Sequence, residues 1–208
     1  MKRENYAYLD SSLVIPLAEN YHDCLELIRS DRFRQLGKME SGTAIVAKSI
    51  LQTLFPTSYH GLPVLFWLRL SQYKGWLWPF CRWMYALVSR KALIDIPIRT
   101  KIGYGLYIGH GMCMVINGGT IIGNNVNLSH FVSIGTNNCT PAIIGDNVYV
   151  GPNVSIVEDV RIGKNATIGA GAVVTKDILE NGTAVGVPAH IVNNKGNNPV
   201  NPYPISAK

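Results

Sequence analysis

From Ile102 to Val174 the chain repeats itself every six residues, and no other feature restricts its fold as much. Each unit opens on an aliphatic residue. A small or turn-forming residue comes second and a small or β-branched residue fifth. The series reads IGYGLY from Ile102, IGHGMC from Ile108, INGGTI from Ile116, IGNNVN from Ile122 and LSHFVS from Leu128. It continues from Ile134, then IGDNVY from Ile144, VGPNVS from Val150, IVEDVR from Ile156, IGKNAT from Ile162, IGAGAV from Ile168 and a last start at Val174. Nine of the eleven intervals between these twelve starts are six; the exceptions are 8 (Ile108 to Ile116) and 10 (Ile134 to Ile144).

That period excludes the two commonest patterns. A helix needs apolar positions three and four apart, and a half-buried sheet strand alternates with period two. One inward aliphatic residue per six fits a short strand followed by a tight corner. Gly and Asn, which tolerate positive φ, fill the corner positions. Three such strands close one triangular turn, and stacked turns bury a continuous column of Ile and Val. The twelve starts make four turns: 102/108/116, 122/128/134, 144/150/156 and 162/168/174. The two long intervals become loops thrown out from the prism, where binding residues tend to sit.

Residues 1–90 contain helix-compatible stretches at 13–34, 42–54 and 63–89. Pro79 inside the last implies two helices or a kink. The expected fold is therefore α+β: an N-terminal helical region over 1–94, a left-handed parallel β-helix of hexapeptide repeats over 95–192, and a C-terminal tail over 193–208. The tail, NNKGNNPVNPYPISAK, has no periodicity and is expected to be an extended cap or mobile.

Charge separates the regions. Nineteen basic and thirteen acidic residues give +6, and residues 41–94 hold six basic residues and no acid. The same segment holds all four tryptophans. Its plainest reading is a helical region packed on the rest, with long basic side chains reaching water. An anionic ligand or an acidic membrane surface would also account for it. No nucleic-acid module or basic stripe is present. Apolar runs stop short of the roughly 18 residues a membrane span needs. The four cysteines are scattered without a CxxC pair, so neither a disulfide scaffold nor a zinc site is indicated. The N-terminus lacks a secretory leader, so the expected compartment is the cytoplasm.

The stretch IDIPIRTKIGYGLYIGHGMCMVINGGTIIGNNVNLSHFVSIG, with the closing IGAGAVVTKDI and AVGVPAHIV, resembles left-handed hexapeptide-repeat acyltransferases. Within them it is most similar to bacterial serine O-acetyltransferases. The resemblance implies acetyl-CoA as acyl donor and a homotrimer, with pairing of two trimers as an alternative. It places the family's catalytic histidine on His110 and that histidine's carboxylate partner on Asp95. It places Gly135, Gly151, Pro152 and Ala170 along the pantetheine arm of coenzyme A, and makes Lys176 a candidate for a coenzyme A phosphate.

The chemistry of these residues agrees. An alcohol is a poor nucleophile at neutral pH, and a histidine titrates where a general base is useful. A carboxylate on its other nitrogen fixes the tautomer and stabilises the imidazolium, as in the serine-protease triad. His130 stands two residues after Leu128 as His110 stands two after Ile108, so both rings should share one corner in adjacent turns, ~4.8 Å apart. His130 is either a structural partner or a stand-in for the family's loop histidine.

Three departures from the family pattern concern the acceptor. Gly109 replaces the Asp that precedes the catalytic histidine, Cys139-Thr140 stand where the family loop has Arg-His, and no Asp occurs between Asp31 and Asp95. Asn117, Asn137, Asn138 and Thr140 offer neutral hydrogen-bonding groups instead. The sequence thus predicts an acetyl-CoA-dependent O-acetyltransferase acting on a small-molecule hydroxyl acceptor. A sugar competes with L-serine for that place, and activity on L-serine is expected to be weak. The non-enzymatic alternative is a structural or partner-binding scaffold.

Overall fold

The computed structural model, described over residues 1–55, 61–137, 140–157 and 159–205, begins with a β-hairpin. Strands β1 (Lys2–Tyr8) and β2 (Ser11–Leu17) pair antiparallel around a turn in which Leu9 takes φ 48°. The helical reading of 13–34 is corrected here. Leu13 and Ile15 point inward and Val14 outward, a period of two over a stretch too short and β-branched to compete as helix. Helix α1 (Tyr21–Leu36) starts only after Asn20, whose side chain caps the Asp23 N–H, and ends on Gly37 at φ 68°.

Helix α2 (Gly42–Leu54) follows the Ser41 cap. The 63–89 stretch divides into α3 (Gly61–Gln72) and α4 (Trp78–Ala92), with Pro79 in the first turn of α4, where its missing N–H costs nothing. A short strand β3 (Ile94–Asp95) leads into the repeat.

Twelve short strands then follow in order. They are β4 (Lys101–Ile102), β5 (Tyr107–Ile108), β6 (Met114–Ile116), β7 (Ile121–Ile122), β8 (Asn127–Leu128) and β9 (Ser133–Ile134) in the first half. The second half holds β10 (Ile143–Ile144), β11 (Tyr149–Val150), β12 (Ser155–Ile156), β13 (Arg161–Ile162), β14 (Thr167–Ile168) and β15 (Val173–Val174). Each of the twelve starts is the last residue of one strand. The strands stack in parallel as three faces of a left-handed β-helix. One face is β4-β7-β10-β13, the second β5-β8-β11-β14 and the third β3-β6-β9-β12-β15. The aliphatic column inside is completely buried, each Ile side chain being worth roughly 1.5–3 kcal/mol.

The prism runs past its fourth turn. Ile178 bridges Ile162, β16 (Thr183–Val185) joins β14, and β17 (His190–Asn193) returns antiparallel to close the end. This fifth, partial turn breaks the strict period at its entry, because Val174 and Ile178 are only four apart, while Ile178 and Ala184 are again six apart.

Three things cover parts of the prism. The hairpin lies on the first face, packing Tyr8, Leu13 and Ile15 on Ile121 and Ile143. Those two isoleucines precede starts, where the other two strands of that face carry Lys101 and Arg161. Helices α1 and α3 dock on the opening turn through a buried ion pair. Arg69 donates to both Asp31 oxygens (2.8 and 3.0 Å) and to the carbonyls of Ile102 and Gly103, and Asp31 accepts from the Leu106 N–H. The tail runs back along a corner made by left-handed Asn125, Asn147, Asn165 and Asn181. Asn197 bonds to Asn165 and Asn147, and Tyr203 exchanges two hydrogen bonds with Asn125. Tyr203 is buried against Phe33 of α1, so the described part of the tail is an anchored strap.

Candidate active site

The corner between the second and third faces is left open by the hairpin, the helices and the tail, and the histidines lie there. Gly109, Ser129, Gly151 and Gly169 follow the second-face strands, and each N–H donates to a carbonyl of the next strand, pinning the edge with one hydrogen bond of 2.8–3.0 Å per turn. His110, His130, Pro152 and Ala170 come next, one per turn, which brings them into one column. The first corner holds two more residues than the others. Its bond to the next turn comes from Phe131 N–H to Met112 O (3.3 Å), whereas His130 O and Pro152 O make the equivalent bonds in later turns. The extra length carries His110 outward, at φ 57° and exposed.

The two imidazoles meet edge to face, centroids 5.5 Å apart at 88°. His130 also contacts the Phe131 ring at 5.4 Å. Its Nδ1 is buried and has no hydrogen-bond partner among the described residues. An unsatisfied buried nitrogen is costly, and here it belongs to the ring that packs on the exposed candidate base.

Asp95 is exposed on β3, paired in register with Val115. Among the described residues no hydrogen bond or ion pair joins it to His110, so one chain does not assemble the expected pair. Asp95 instead lines an open cleft of about 770 Å³ between α4 and residues 93–99. This cleft was hidden from sequence reading, because its walls come from a helix and an extended segment. Its one sequence signal is the acid-free basic segment.

The expected coenzyme A residues divide between two edges. Gly151, Pro152 and Ala170 continue the histidine column. A Cβ on Gly151 would come within 2.9 Å of Ala170 N and Ile168 O, so that glycine is also required by the stacking. Gly135 and Lys176 follow third-face strands and lie on the next edge, where a Cβ on Gly135 would meet nothing within 4 Å. Asn117 spends its side-chain oxygen on the Gly119 N–H (2.8 Å) inside its own loop. Asn138 and Cys139, like His60, lie outside the described residues.

Asp31 is unavailable to an acceptor, being fully buried and saturated by Arg69 and Leu106. Among the described residues no helix is long and apolar enough to cross a membrane.

The model for the bacterial transferase hexapeptide (six repeats) matches residues 141–176. The serine acetyltransferase of Staphylococcus epidermidis is 33% identical over 157 residues, which are 72% of this chain and 72% of that protein. The chain belongs to the serine acetyltransferase family. Another family member, from Buchnera aphidicola, is 31% identical over 158 residues, 71% of this chain and 58% of that protein; the chain is thus much shorter than some of the relatives it matches. The solved serine acetyltransferase of Neisseria gonorrhoeae in complex with serine superimposes with a TM-score of 0.62 at 27% identity, covering 83% of this chain and 69% of that one. Family membership thus agrees with the fold and with the resemblance seen in the repeat.

Proposed function

We propose that this chain transfers an acetyl group from acetyl-CoA to the hydroxyl of L-serine. The observation that carries the reading is the 33% identity to a serine acetyltransferase over 72% of both chains. It favours serine over the sugar acceptor, and over a scaffold without turnover. The expectation of weak activity on L-serine rests on a loop and helices that lack the family's usual charged groups. The cleft beside Asp95 offers charged groups of both signs elsewhere.

In this reading the serine hydroxyl oxygen attacks the thioester carbonyl while His110 takes its proton. The C–S bond then breaks, and the sulfur leaves as coenzyme A thiol with that proton. Asp95 would steady the imidazolium; catalytic hydrogen bonds often tighten only in the substrate complex. His130, in contact with the His110 ring, would orient it. The column of Gly151, Pro152 and Ala170 would receive the pantetheine arm, small residues letting backbone groups reach its amides. Gly135 and Lys176, one edge away, would serve that arm from a neighbouring subunit.

That last assignment requires a homotrimer, the cyclic arrangement in which like edges meet unlike ones. Met112, Val115 and Phe131 are exposed beside the histidines and would form the apolar part of the contact. Thiol release with L-serine, homoserine and free and nucleotide-linked sugars tests the reading. L-serine is expected to reach at least roughly 10⁴ M⁻¹s⁻¹ in kcat/KM, the low end for enzymes on their own substrates. A sugar turning over faster would replace serine as the acceptor. Sedimentation giving an active monomer would remove the trimer.

A further inference from the structure

The basic segment lines the cleft next to Asp95. Arg82, Tyr85, Ser89 and Arg90 recur at helical spacing on the α4 face that looks into it, and Asp95 and Arg99 lie across. Three guanidinium groups thus meet one carboxylate. Among the described residues none of the three guanidinium groups has a hydrogen bond or ion pair. Tyr85 donates its hydroxyl to Ile96 O (2.5 Å), so the aromatic ring closes the floor and leaves the arginines as the cleft's donors. Arg99 lies across Gly118, where an added Cβ would come within 2.4 Å of its Nε.

The two ends of the cleft differ. Arg82 and Arg90 are eight residues apart on one helix, about 12 Å, too far to grip one carboxylate together. Arg90 is at the end where the chain leaves α4, its carbonyl accepting from Leu93 N–H at 3.1 Å. Asp95 follows two residues later. The rim there is bonded directly to the histidine corner: Cys113 N–H to Ala92 O at 3.1 Å and Met114 N–H to Leu93 O at 3.0 Å.

We propose that this cleft receives the carboxylate of the acceptor amino acid, with Arg90 as its fork. The proposal rests on serine acetylation and assigns the group that recognises its substrate. A guanidinium matches a planar carboxylate bidentately. Arg82 and Arg99 hold the concave wall positive and concentrate an anionic acceptor there. L-Serine is short, so a carboxylate on Arg90 keeps its hydroxyl near the rim that is bonded to the histidine corner through Ala92 and Leu93. The role that the family loop fills with Arg-His is thereby filled from α4.

Calorimetric titration of L-serine and of L-serinamide, which lacks the carboxylate, into the full chain tests this alongside thiol release. Arg90→Gln is expected to weaken L-serine binding by about tenfold or more, the effect of one charge-assisted hydrogen-bonded pair. Arg82→Gln should weaken it only about two- to threefold, with the difference vanishing at high salt. L-Serinamide should bind weakly to the unmodified protein, and Arg90→Gln should leave that binding unchanged. L-Serine failing to bind, unchanged L-serine binding in Arg90→Gln, or an equal loss for L-serinamide would each overturn the assignment. Arg90 is exposed, so its replacement leaves the core intact. Intact L-serine binding with no thiol release overturns acetyl transfer and leaves the cleft standing. Normal turnover with unchanged binding in Arg90→Gln overturns the cleft alone.

Discussion

The His110 ring stands edge-on to the His130 ring, centroids 5.5 Å apart, one turn above it on the open corner of the prism. His110 is exposed on an expanded corner, while His130 is half-buried with an Nδ1 that has no partner among the described residues. The exposed ring can reach a substrate; the half-buried one can hold it in place. Substitutions should separate these two roles.

His110→Ala should lower kcat for acetyl transfer by about 10²–10⁴-fold, the range for losing a general base. Coenzyme A binding should stay close to that of the unmodified protein, because the pantetheine column lies in later turns. Stopped-flow thiol release with calorimetry of coenzyme A checks both. Undiminished turnover would take His110 out of the mechanism.

His130→Gln keeps a polar side chain but removes the ring. It should lower kcat roughly tenfold, about 1.4 kcal/mol, because the His110 ring loses the neighbour that fixes its position. The loss should fall on kcat and leave KM for L-serine close to that of the unmodified protein, because the ring is displaced and not the substrate. A kcat within about twofold of the unmodified protein would mark His130 as packing alone.

Asp31→Asn should destabilise the protein by about 3–5 kcal/mol, because it leaves the Arg69 guanidinium buried without its charge partner. Both side chains are almost completely buried. Urea unfolding followed by circular dichroism measures the loss. A change under ~1 kcal/mol would place this pair with ordinary surface ion pairs.

The hairpin should loosen in acid. The Tyr6 hydroxyl, opposed by partial burial and helped by Lys101, holds the Glu4 carboxyl down to about 2 from its ordinary 4.5. A carboxyl depressed by folding stabilises the fold above its unfolded value, and that contribution is lost as pH falls from about 4.5 towards 2. Amide exchange in residues 2–17 should therefore quicken relative to the prism between pH 5 and 3. Uniform behaviour across the chain would contradict it.

The prism was legible residue by residue. One aliphatic residue in six, with Gly or Asn at the corners, has a single way to bury its apolar side, and each of the twelve starts ends a strand. The division of 63–89 at Pro79 followed from proline's missing N–H. The pairing of His110 with His130 followed from counting, since equal offsets in successive turns share a corner.

What sequence alone could not give came from contacts between distant segments. The period-two run at Leu13 and Ile15 became a hairpin because Ile121 and Ile143 offered it an apolar face. The tail, without any pattern of its own, was ordered by a ladder of asparagines that only the stacked turns bring into line. Asp95 and the arginines of α4 share a cleft because the chain doubles back after Ala92, a relation that depends on how helix and prism pack. Local repeats are written in the order of residues, because each repeat buries its own side chains against the next. Charge clusters drawn from separate elements exist only once the fold has placed those elements side by side.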